Sequence, residues 1–399
     1  MWLLEFLFFA MTLLIGWTLF GYLLYLWFAG LFRAKKMLRI PKTNLPRLSV
    51  IVPCYNEQEQ ILAKLDDLRR LVYPRDMLEV IFADGDSTDG TVACLTAAIQ
   101  PDDACRVIRC PRRGKVHQLN HVLPMLRGEI VVNTDVDARL APDALQWIAA
   151  TFAIAPEIWV VGAYCRPADG LAIEQYYWDS QNKGRLLESD AQTASIVIAQ
   201  CYAFRRELLA AFPEDVVADD VYAAFLANTL GYRTIYSRRA TAIETRTPQD
   251  ISQFVPHKFR KSNAYLRESL RFLYRLPEMS PFCKMMLTTR VVQQLLLPWA
   301  IIFWMLIAGV LLTLFRFDVV IFGALFLFVL LLLTNRVFAW MPLPEGARRY
   351  SLATILVGYA LTMAIMLTTG VSYPFFRQGS SYARVGGQIA PEDKGVLES

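Results

Sequence analysis

Glu129-Ile130-Val131-Val132-Asn133-Thr134-Asp135-Val136-Asp137 is an apolar run that ends in two carboxylates spaced two positions apart. Side chains alternate between the two faces of an extended chain, so Asp135 and Asp137 are predicted to leave a strand on the same side. Two converging carboxylates suit a hard divalent cation, Mg²⁺ or Mn²⁺, which keeps coordination sites open for phosphate. An acidic turn after a buried strand explains the same pair, so the metal hypothesis depends on the neighbouring motifs.

Upstream of this stretch, apolar runs alternate with polar loops and helical patterns. Strands are predicted at 48–53, 78–83 and 106–109, and the first is followed by apolar residues at helical spacing, from Ile61 to Leu68. This alternation predicts an α/β fold with a mostly parallel central sheet, in which ligands gather at the carboxyl ends of the strands. Polar side chains follow each strand end: Asn56, Glu57, Asp84, Arg113 and Lys115.

Each of these polar residues also has an ordinary structural explanation. Asn56 suits a helix cap, Asp84 a turn, and Arg113 and Lys115 a solvated loop. The sequence has no Walker pattern and no Gly-x-Gly-x-x-Gly, which argues against a P-loop nucleotide hydrolase and a dinucleotide site.

A second acidic pair, Asp219 and Asp220, begins a predicted helix that ends at Gly231. The helix dipole alone explains Asp219. Asp220 is a candidate general base, because burial or a like-charged neighbour would raise its pKa toward a useful value.

The composition is that of a membrane protein. Of 399 residues, 55% are hydrophobic and only 19% are charged. We predict a transmembrane anchor (1–32) and three further apolar runs (295–315, 319–334 and 352–370). The predicted organisation is the anchor, a basic linker (33–47), a globular domain (48–256), a basic amphipathic interfacial helix (257–280), a membrane region of about three transmembrane helices (281–372) and a tail (373–399).

Basic residues predict the orientation of the chain in the membrane. Because Lys and Arg gather on the cytoplasmic side, we expect a multi-pass protein of the inner (plasma) membrane with its globular domain in the cytoplasm. Seven cysteines without a Cys-x-x-Cys pair fit a reduced cytosolic domain. The basic residues used are Arg33, Lys35, Lys36, Arg39, Lys42 and Arg47 after the anchor, and Arg336, Arg348 and Arg349 before the last apolar run.

From about residue 48 to 265, these motifs in their order and spacing resemble the family 2 glycosyltransferases. These are inverting enzymes with a nucleotide-diphospho-sugar transferase domain of the type A fold. The segments that carry the resemblance are 52–57, 84–91, Gly114-Lys115, Leu119-Asn120, Asp135-Val136-Asp137, Asp219-Asp220, and Gly231-Tyr232-Arg233 followed by Glu244.

The resemblance implies roles for individual residues. Glu57 and Asp84 would hold a uridine-type nucleoside and Lys115 would face phosphate. Asp135 and Asp137 would bind the ribose and the metal, and Asp220 would be the catalytic base. Pro53, Tyr55, Asn56, Arg113 and Arg260 complete the expected donor site.

The chain departs from the family pattern at two places. Gly85 stands where a second aspartate is usual, and 257–261 replaces the Gln-x-x-Arg-Trp segment of processive synthases, with Lys261 in place of tryptophan. The second departure argues against processive polymerisation. An arginine stripe follows (Arg260, Arg267, Arg271, Arg275); we interpret it as contacting an anionic leaflet rather than nucleic acid.

The sequence therefore predicts an inverting, metal-dependent glycosyltransferase that moves a sugar, most simply from a UDP-sugar, to a hydroxyl of a membrane lipid with a β-glycosidic product. A polysaccharide synthase, built as a homo-oligomer or with a partner subunit, is the main alternative, since several chains together could line a channel for the glycan. A sugar-nucleotide-binding membrane protein without turnover is a more distant one.

Overall fold

The computed structural model of the chain describes residues 1–33, 39–40, 44–341, 343–344, 346 and 348–376. Its centre is an eight-stranded mixed sheet of order β3-β2-β1-β4-β7-β6-β8-β5. The strands are β1 (Leu48–Cys54), β2 (Leu78–Asp84), β3 (Cys105–Arg109), β4 (Ile130–Asn133), β5 (Ala138–Leu140), β6 (Ile158–Pro167), β7 (Tyr202–Arg205) and β8 (Arg233–Glu244).

Thirteen α-helices surround this sheet or extend from it in the described chain. They are α1 (Trp2–Gly16), α2 (Tyr22–Leu31), α3 (Ile61–Arg69), α4 (Thr91–Ala98), α5 (Lys115–Val122), α6 (Ala144–Ile154), α7 (Ala172–Ala191), α8 (Asp219–Thr229), α9 (Ile251–Leu273), α10 (Pro281–Leu295), α11 (Leu297–Thr313), α12 (Phe317–Trp340) and α13 (Leu352–Ser372). A π-helical turn, Trp17–Gly21, joins α1 to α2.

The predicted parallel half of the sheet is confirmed. Strands β3, β2, β1 and β4 pair in parallel, and the interior ones are near-continuous apolar runs because helices cover both faces. The basis for pairing Asp135 with Asp137 was wrong, however. β4 ends at Asn133, and the residues that follow leave the strand and form a turn before β5. Period-two alternation therefore does not orient the two carboxylates.

The apolar helices at both ends of the chain are long enough to cross a bilayer. Three described helices qualify by length and composition: Trp2–Leu31, Phe317–Trp340 and Leu352–Ser372. A fourth span is possible if α10 and α11, which bend by 58° where they meet, count as one. α12 is longer than its predicted run, 319–334. Lys35, Lys36 and Lys42 of the predicted linker, and all of the tail after residue 376, lie outside the described residues.

The basic amphipathic helix differs from its prediction in start and surroundings. α9 begins at Ile251, where the Asp250 side chain accepts a hydrogen bond from the Gln253 N–H, rather than at 257. It packs against α8, α10 and α13, and so lies between the globular domain and the apolar helices. The arginines of the predicted stripe also make ion pairs within the chain: Arg267 and Arg271 of α9 with Asp215, and Arg275, just after α9, with Glu278.

Glu188 connects the globular domain to both groups of apolar helices. This fully buried carboxylate on α7 accepts hydrogen bonds from the hydroxyl of Tyr22 on α2 at 2.7 Å and from the Oγ of Ser195 at 2.7 Å. Arg290 on α10 donates to it through Nε at 3.1 Å and Nη2 at 2.7 Å. One carboxylate thus fixes the position of α2 and α10 against the domain.

Replacing Glu188 with Ala is expected to destabilise the protein by about 3–5 kcal/mol, because Arg290 would remain buried without its counter-charge. Thermal unfolding of the purified chain in detergent measures this loss. The control is Glu278→Ala, which breaks the Arg275 pair at a carboxylate that is 53% exposed. That change is expected to cost less than about 1 kcal/mol. Equal effects of the two variants would contradict the assignment.

Candidate active site

A cavity of about 700 Å³ opens at the carboxyl ends of β1 and β4. It is lined by nine of the eleven residues that the sequence singled out: Pro53, Tyr55, Glu57, Arg113, Lys115, Asp135, Asp137, Asp220 and Arg260. These residues lie together because the carboxyl ends of neighbouring parallel strands meet at this edge of the sheet. The fold therefore places in one cavity side chains that are far apart in sequence.

Two predicted donor residues, Asn56 and Asp84, do not line this cavity. Asp84 is buried and accepts a hydrogen bond from the Ser87 backbone N–H at 3.1 Å. Asn56, at a positive φ of 51°, accepts through its side chain from the Thr88 N–H at 2.8 Å. Both side chains hold the 84–91 loop against the end of β1. Direct contact of either one with a nucleoside stays a prediction.

Gly85 has a packing reason for replacing the usual aspartate. A Cβ atom at this position would come within 2.6 Å of the Gln118 Nε2. That amide is buried and donates to the backbone carbonyls of Cys54 at 2.7 Å and Ala83 at 2.9 Å. Gln118 therefore joins β1 to β2 from α5 and occupies the space that a larger residue would need.

Asp137 lies in a cluster of charged side chains that the sequence did not reveal. β5 begins at the next residue and pairs with the end of β8, so Asp137 is brought beside Glu244. The N–H and hydroxyl of Thr245 both donate to the Asp137 backbone carbonyl, at 2.9 and 2.8 Å. Arg246 then reaches Glu57 at 2.7 Å and the Asp137 carboxylate at 3.9 Å. No sequence motif marks Arg246; only the β5–β8 pairing brings it here.

The acids around Asp137 affect one another electrostatically. Burial, followed by the charges of Asp135 and Glu244, raises the pKa of Asp137 to about 7, and Arg246 opposes this shift. The buried Oε2 of Glu244 has no hydrogen-bond partner among the described residues. A cation bound here would favour the charged form of these carboxylates.

The donor set fits a hard divalent cation that is only partly held by protein. Carboxylate oxygens of Asp135 and Asp137 are the ligands that Mg²⁺ and Mn²⁺ prefer. The described residues offer no group of three His, Cys, Asp or Glu side chains arranged to hold a metal. Two carboxylates are nevertheless enough for an ion that takes its remaining ligands from water and substrate phosphates.

Lys115 connects the two acidic pairs. Gly114, at a φ of +118° that favours glycine, precedes α5 and so places Lys115 in its first turn. The Lys115 Nζ lies 2.9 Å from Asp135 and 3.3 Å from Asp219. Beside it the Arg113 guanidinium stacks over the Tyr55 ring at 4.4 Å. Both cations line the cavity.

Asp219 and Asp220 begin α8 but have different surroundings. Asp219 is buried and accepts from the Tyr202 hydroxyl at 2.6 Å, in addition to its pair with Lys115. Asp220 faces the cavity. Burial, followed by the charge of Asp219, raises the pKa of Asp220 to about 7, and Lys115 opposes this shift. Asp220 is thus a carboxylate able to accept a proton near neutral pH.

The cavity continues from these acids to the apolar helices. On that side it is lined by α7, α9, α10 and α13, the last through Thr362, Ile365 and Met366. His257 is buried there, and burial, followed by the charges of Lys261 and Lys258, holds its pKa well below its usual range. We call this part of the cavity the acceptor lobe, defined by its residues on α7, α9, α10 and α13.

Residues 49–212 match the sequence profile described as glycosyl transferase family 2. The chain contains a family 2 glycosyltransferase domain. Its α/β domain has the type A fold expected from the resemblance.

Two groups of relatives resemble parts of this chain. It is 37% identical over 113 residues to a β-monoglucosyldiacylglycerol synthase of Nostoc sp., a match that covers 27% of this chain and 24% of the relative. It is 24% identical over 278 residues to an N-acetylglucosaminyltransferase of Rhizobium meliloti, covering 65% of each chain. The chain thus spans about a quarter of the first relative and less than two thirds of the second.

A solved structure resembles nearly the whole chain. It is a mannosyltransferase from Pyrobaculum calidifontis in complex with GDP-Man and Mn²⁺. The similarity covers 93% of this chain and 99% of the mannosyltransferase, with a TM-score of 0.69 and 28% sequence identity. The likeness therefore includes the apolar helices as well as the α/β domain.

Proposed function

We propose that this chain is a glycosyltransferase that transfers one sugar, with inversion, from a nucleotide-sugar donor to the hydroxyl of a membrane lipid at the inner leaflet. The observation that carries this proposal is the continuity of one cavity, from Asp137 at the sheet edge to Ile365 on α13. A donor at the sheet edge and a lipid entering beside α13 would meet at Asp220. The Nostoc relative, whose name describes a glycolipid synthase, is consistent with a lipid acceptor.

In the proposed reaction, Asp220 takes the proton of the acceptor hydroxyl as its oxygen attacks the anomeric carbon. The bond between that carbon and the diphosphate oxygen breaks on the opposite face, which inverts the anomeric configuration. The electron pair leaves with the nucleoside diphosphate. Lys115 and Arg113 lie at the cavity wall where they would neutralise this charge, and Arg260 lines the same cavity.

Asp135 and Asp137 would hold the divalent cation. When bound, the cation would neutralise the diphosphate and so help it to leave, a form of catalysis worth several kcal/mol in metal enzymes. The Mn²⁺ in the Pyrobaculum mannosyltransferase supports this assignment. Arg246 would keep Glu57 and Asp137 in place while the donor binds.

The surroundings of Lys261 favour single transfer over polymer synthesis. Its Nζ lies 3.5 Å from Glu244 and 5.4 Å from the ring centre of Trp178. The side chain that replaces the tryptophan of processive synthases is thus an ammonium group held by an acid and a ring of the chain, and it provides no aromatic face on which an acceptor sugar could stack. The described helices provide three spans, or four with the bent pair, which is few for a glycan channel in one chain.

The experiment that tests the proposal gives the purified full-length protein, in lipid bilayers, a radiolabelled donor. UDP-sugars and GDP-Man are supplied in parallel, and the products are extracted with organic solvent. We expect the label in a low-mass lipid fraction. A water-soluble ladder of increasing length would instead establish the polysaccharide synthase, and release of nucleoside diphosphate from none of the donors would favour a binding protein without turnover.

A further inference from the structure

The acceptor lobe contains one cation whose environment differs from that of its neighbours. Lys258 pairs with Glu174 at 2.8 Å, Lys261 with Glu244 at 3.5 Å, and Arg290 with Glu188 at 2.7 Å. Arg185 on α7 also lines the cavity but has no carboxylate within ion-pair distance in the described part of the chain. Each of these three cations has a carboxylate of the chain as its counter-charge, and Arg185 has none.

The contacts of Arg185 leave part of its guanidinium unsatisfied. The side chain is only 6% exposed, and its Nη1 donates to the Asn182 Oδ1 at 3.1 Å. Its Nε is buried and has no acceptor among the described residues. The group lies 5.8 Å from the ring centre of Trp178 and 5.6 Å from that of Tyr236, so aromatic faces provide the rest of its surroundings.

A buried guanidinium without an anion carries a large desolvation cost, which aromatic faces offset only in part. Its planar fork of donors matches the oxygens of a phosphate or a carboxylate. The buried hydroxyls of Ser262 and Tyr265, on the same lobe, also have no partner among the described residues. These unsatisfied donors indicate a ligand that brings acceptor oxygens.

We propose that the acceptor lipid carries a phosphate group and that Arg185 binds this phosphate. This inference rests on the proposed function, since it names the chemical class of the acceptor. The lobe lies beside α13, so a phosphate attached to a lipid tail can reach it from the bilayer. A neutral diacylglycerol would leave Arg185 without an anion.

Binding of lipids to the full-length protein in a neutral detergent tests this proposal independently of turnover. Native mass spectrometry compares phosphatidylglycerol and a polyprenyl phosphate with diacylglycerol. We expect the phosphorylated lipids to bind roughly 10- to 100-fold more tightly than diacylglycerol, as for hydrogen bonds to charged groups. Arg185→Gln should remove this preference, and Arg185→Lys should restore part of it because the charge is kept.

The matched control is Arg205→Gln. Arg205 also lies over an aromatic ring, that of Phe152 at 5.4 Å, and donates to the Ile158 carbonyl, but it does not line the cavity. Its loss should leave lipid preference unchanged. Equal binding of diacylglycerol and the phosphorylated lipids, or an unchanged preference in Arg185→Gln, would overturn the proposal. So would equally effective competition by inorganic phosphate, because the lipid would then not be the source of the anion.

These outcomes are distinguishable from failure of the proposed function. Lipid binding is measured without donor, so a protein that never transfers sugar can still show the Arg185-dependent preference. Conversely, labelled diacylglycerol in the extraction experiment would support sugar transfer to a lipid and overturn only the phosphate inference.

Discussion

Asp220→Asn should abolish sugar transfer while the affinity for the donor stays close to that of the wild type. Asparagine keeps the size and hydrogen-bonding reach of the side chain but cannot take the acceptor proton. Loss of a general base costs typically about 10²–10⁴ in rate. Single-turnover transfer with labelled donor measures the chemical step, and equilibrium titration with the nucleotide measures donor binding.

Asp215→Asn is the matched control for this experiment. Asp215 precedes α8 by a few residues and pairs with Arg267 and Arg271, and none of the three lines the cavity. That variant is expected to keep its activity. Near-normal turnover in Asp220→Asn would exclude Asp220 as the base.

The dependence of the rate on pH provides a second readout for Asp220. Its pKa is raised to about 7, so the proton-accepting form predominates only above that pH. The transfer rate should therefore fall as the pH is lowered through about 7. In Asp220→Asn any residual rate should lose the contribution of this carboxylate, and an inflection that persists there would come from Asp137, whose pKa is also raised to about 7.

Asp137→Ala should weaken donor binding by at least about 100-fold, since it removes a ligand of the cation that binds the diphosphate. Chelation of divalent ions in the wild-type protein should have the same effect, and adding Mn²⁺ should reverse it. Donor binding is measured by titration with the nucleoside diphosphate, with and without the metal. In Asp137→Ala, added Mn²⁺ should restore little of the donor affinity.

The control for this variant is Asp66→Ala, which removes a carboxylate that is 65% exposed and lies outside the cavity. Its donor affinity should equal that of the wild type and remain sensitive to the chelator. Donor affinity that is indifferent to chelation in the wild type would refute the metal assignment.

Local sequence patterns were sufficient to predict the first half of the domain. β1, β2 and β3 are short apolar runs followed by polar loops, and their order along the chain is also that of a simple parallel sheet. The predicted site residues mostly follow these strands, so the fold places them together. Site residues could therefore be predicted where they directly follow a strand that its own apolar run identifies.

The second half of the sheet depends on pairings that no local pattern encodes. β7 lies between β4 and β6 and is antiparallel to both, although it follows β6 in sequence. β5 has only three residues and is defined by its partner β8. Arg246, which follows β8, therefore could not be assigned to the site from its sequence neighbours.

Charge stripes on a helix were a poor guide to the surface that contacts a ligand. The sequence directed attention to the arginines of α9, several of which pair with acids of the chain. Of that arginine stripe, only Arg260 lines the cavity. The other cavity-lining residues of α9 are His257, Lys258, Lys261, Ser262, Ala264 and Tyr265. Arg185 lies on α7 within a mixed polar sequence, and its lack of a counter-charge is visible only in three dimensions.

The position of Glu188 also limits the order in which the protein can mature during synthesis. Its partner Tyr22 is synthesised 166 residues before Glu188, and its partner Arg290 is synthesised 102 residues after it. The same junction includes apolar residues on both sides, among them Phe225 of α8 and Met286 of α10. A nascent chain that has released the whole α/β domain still lacks the arginine that neutralises this buried acid. The Glu188 junction can therefore form completely only after the start of the C-terminal apolar helices has been synthesised.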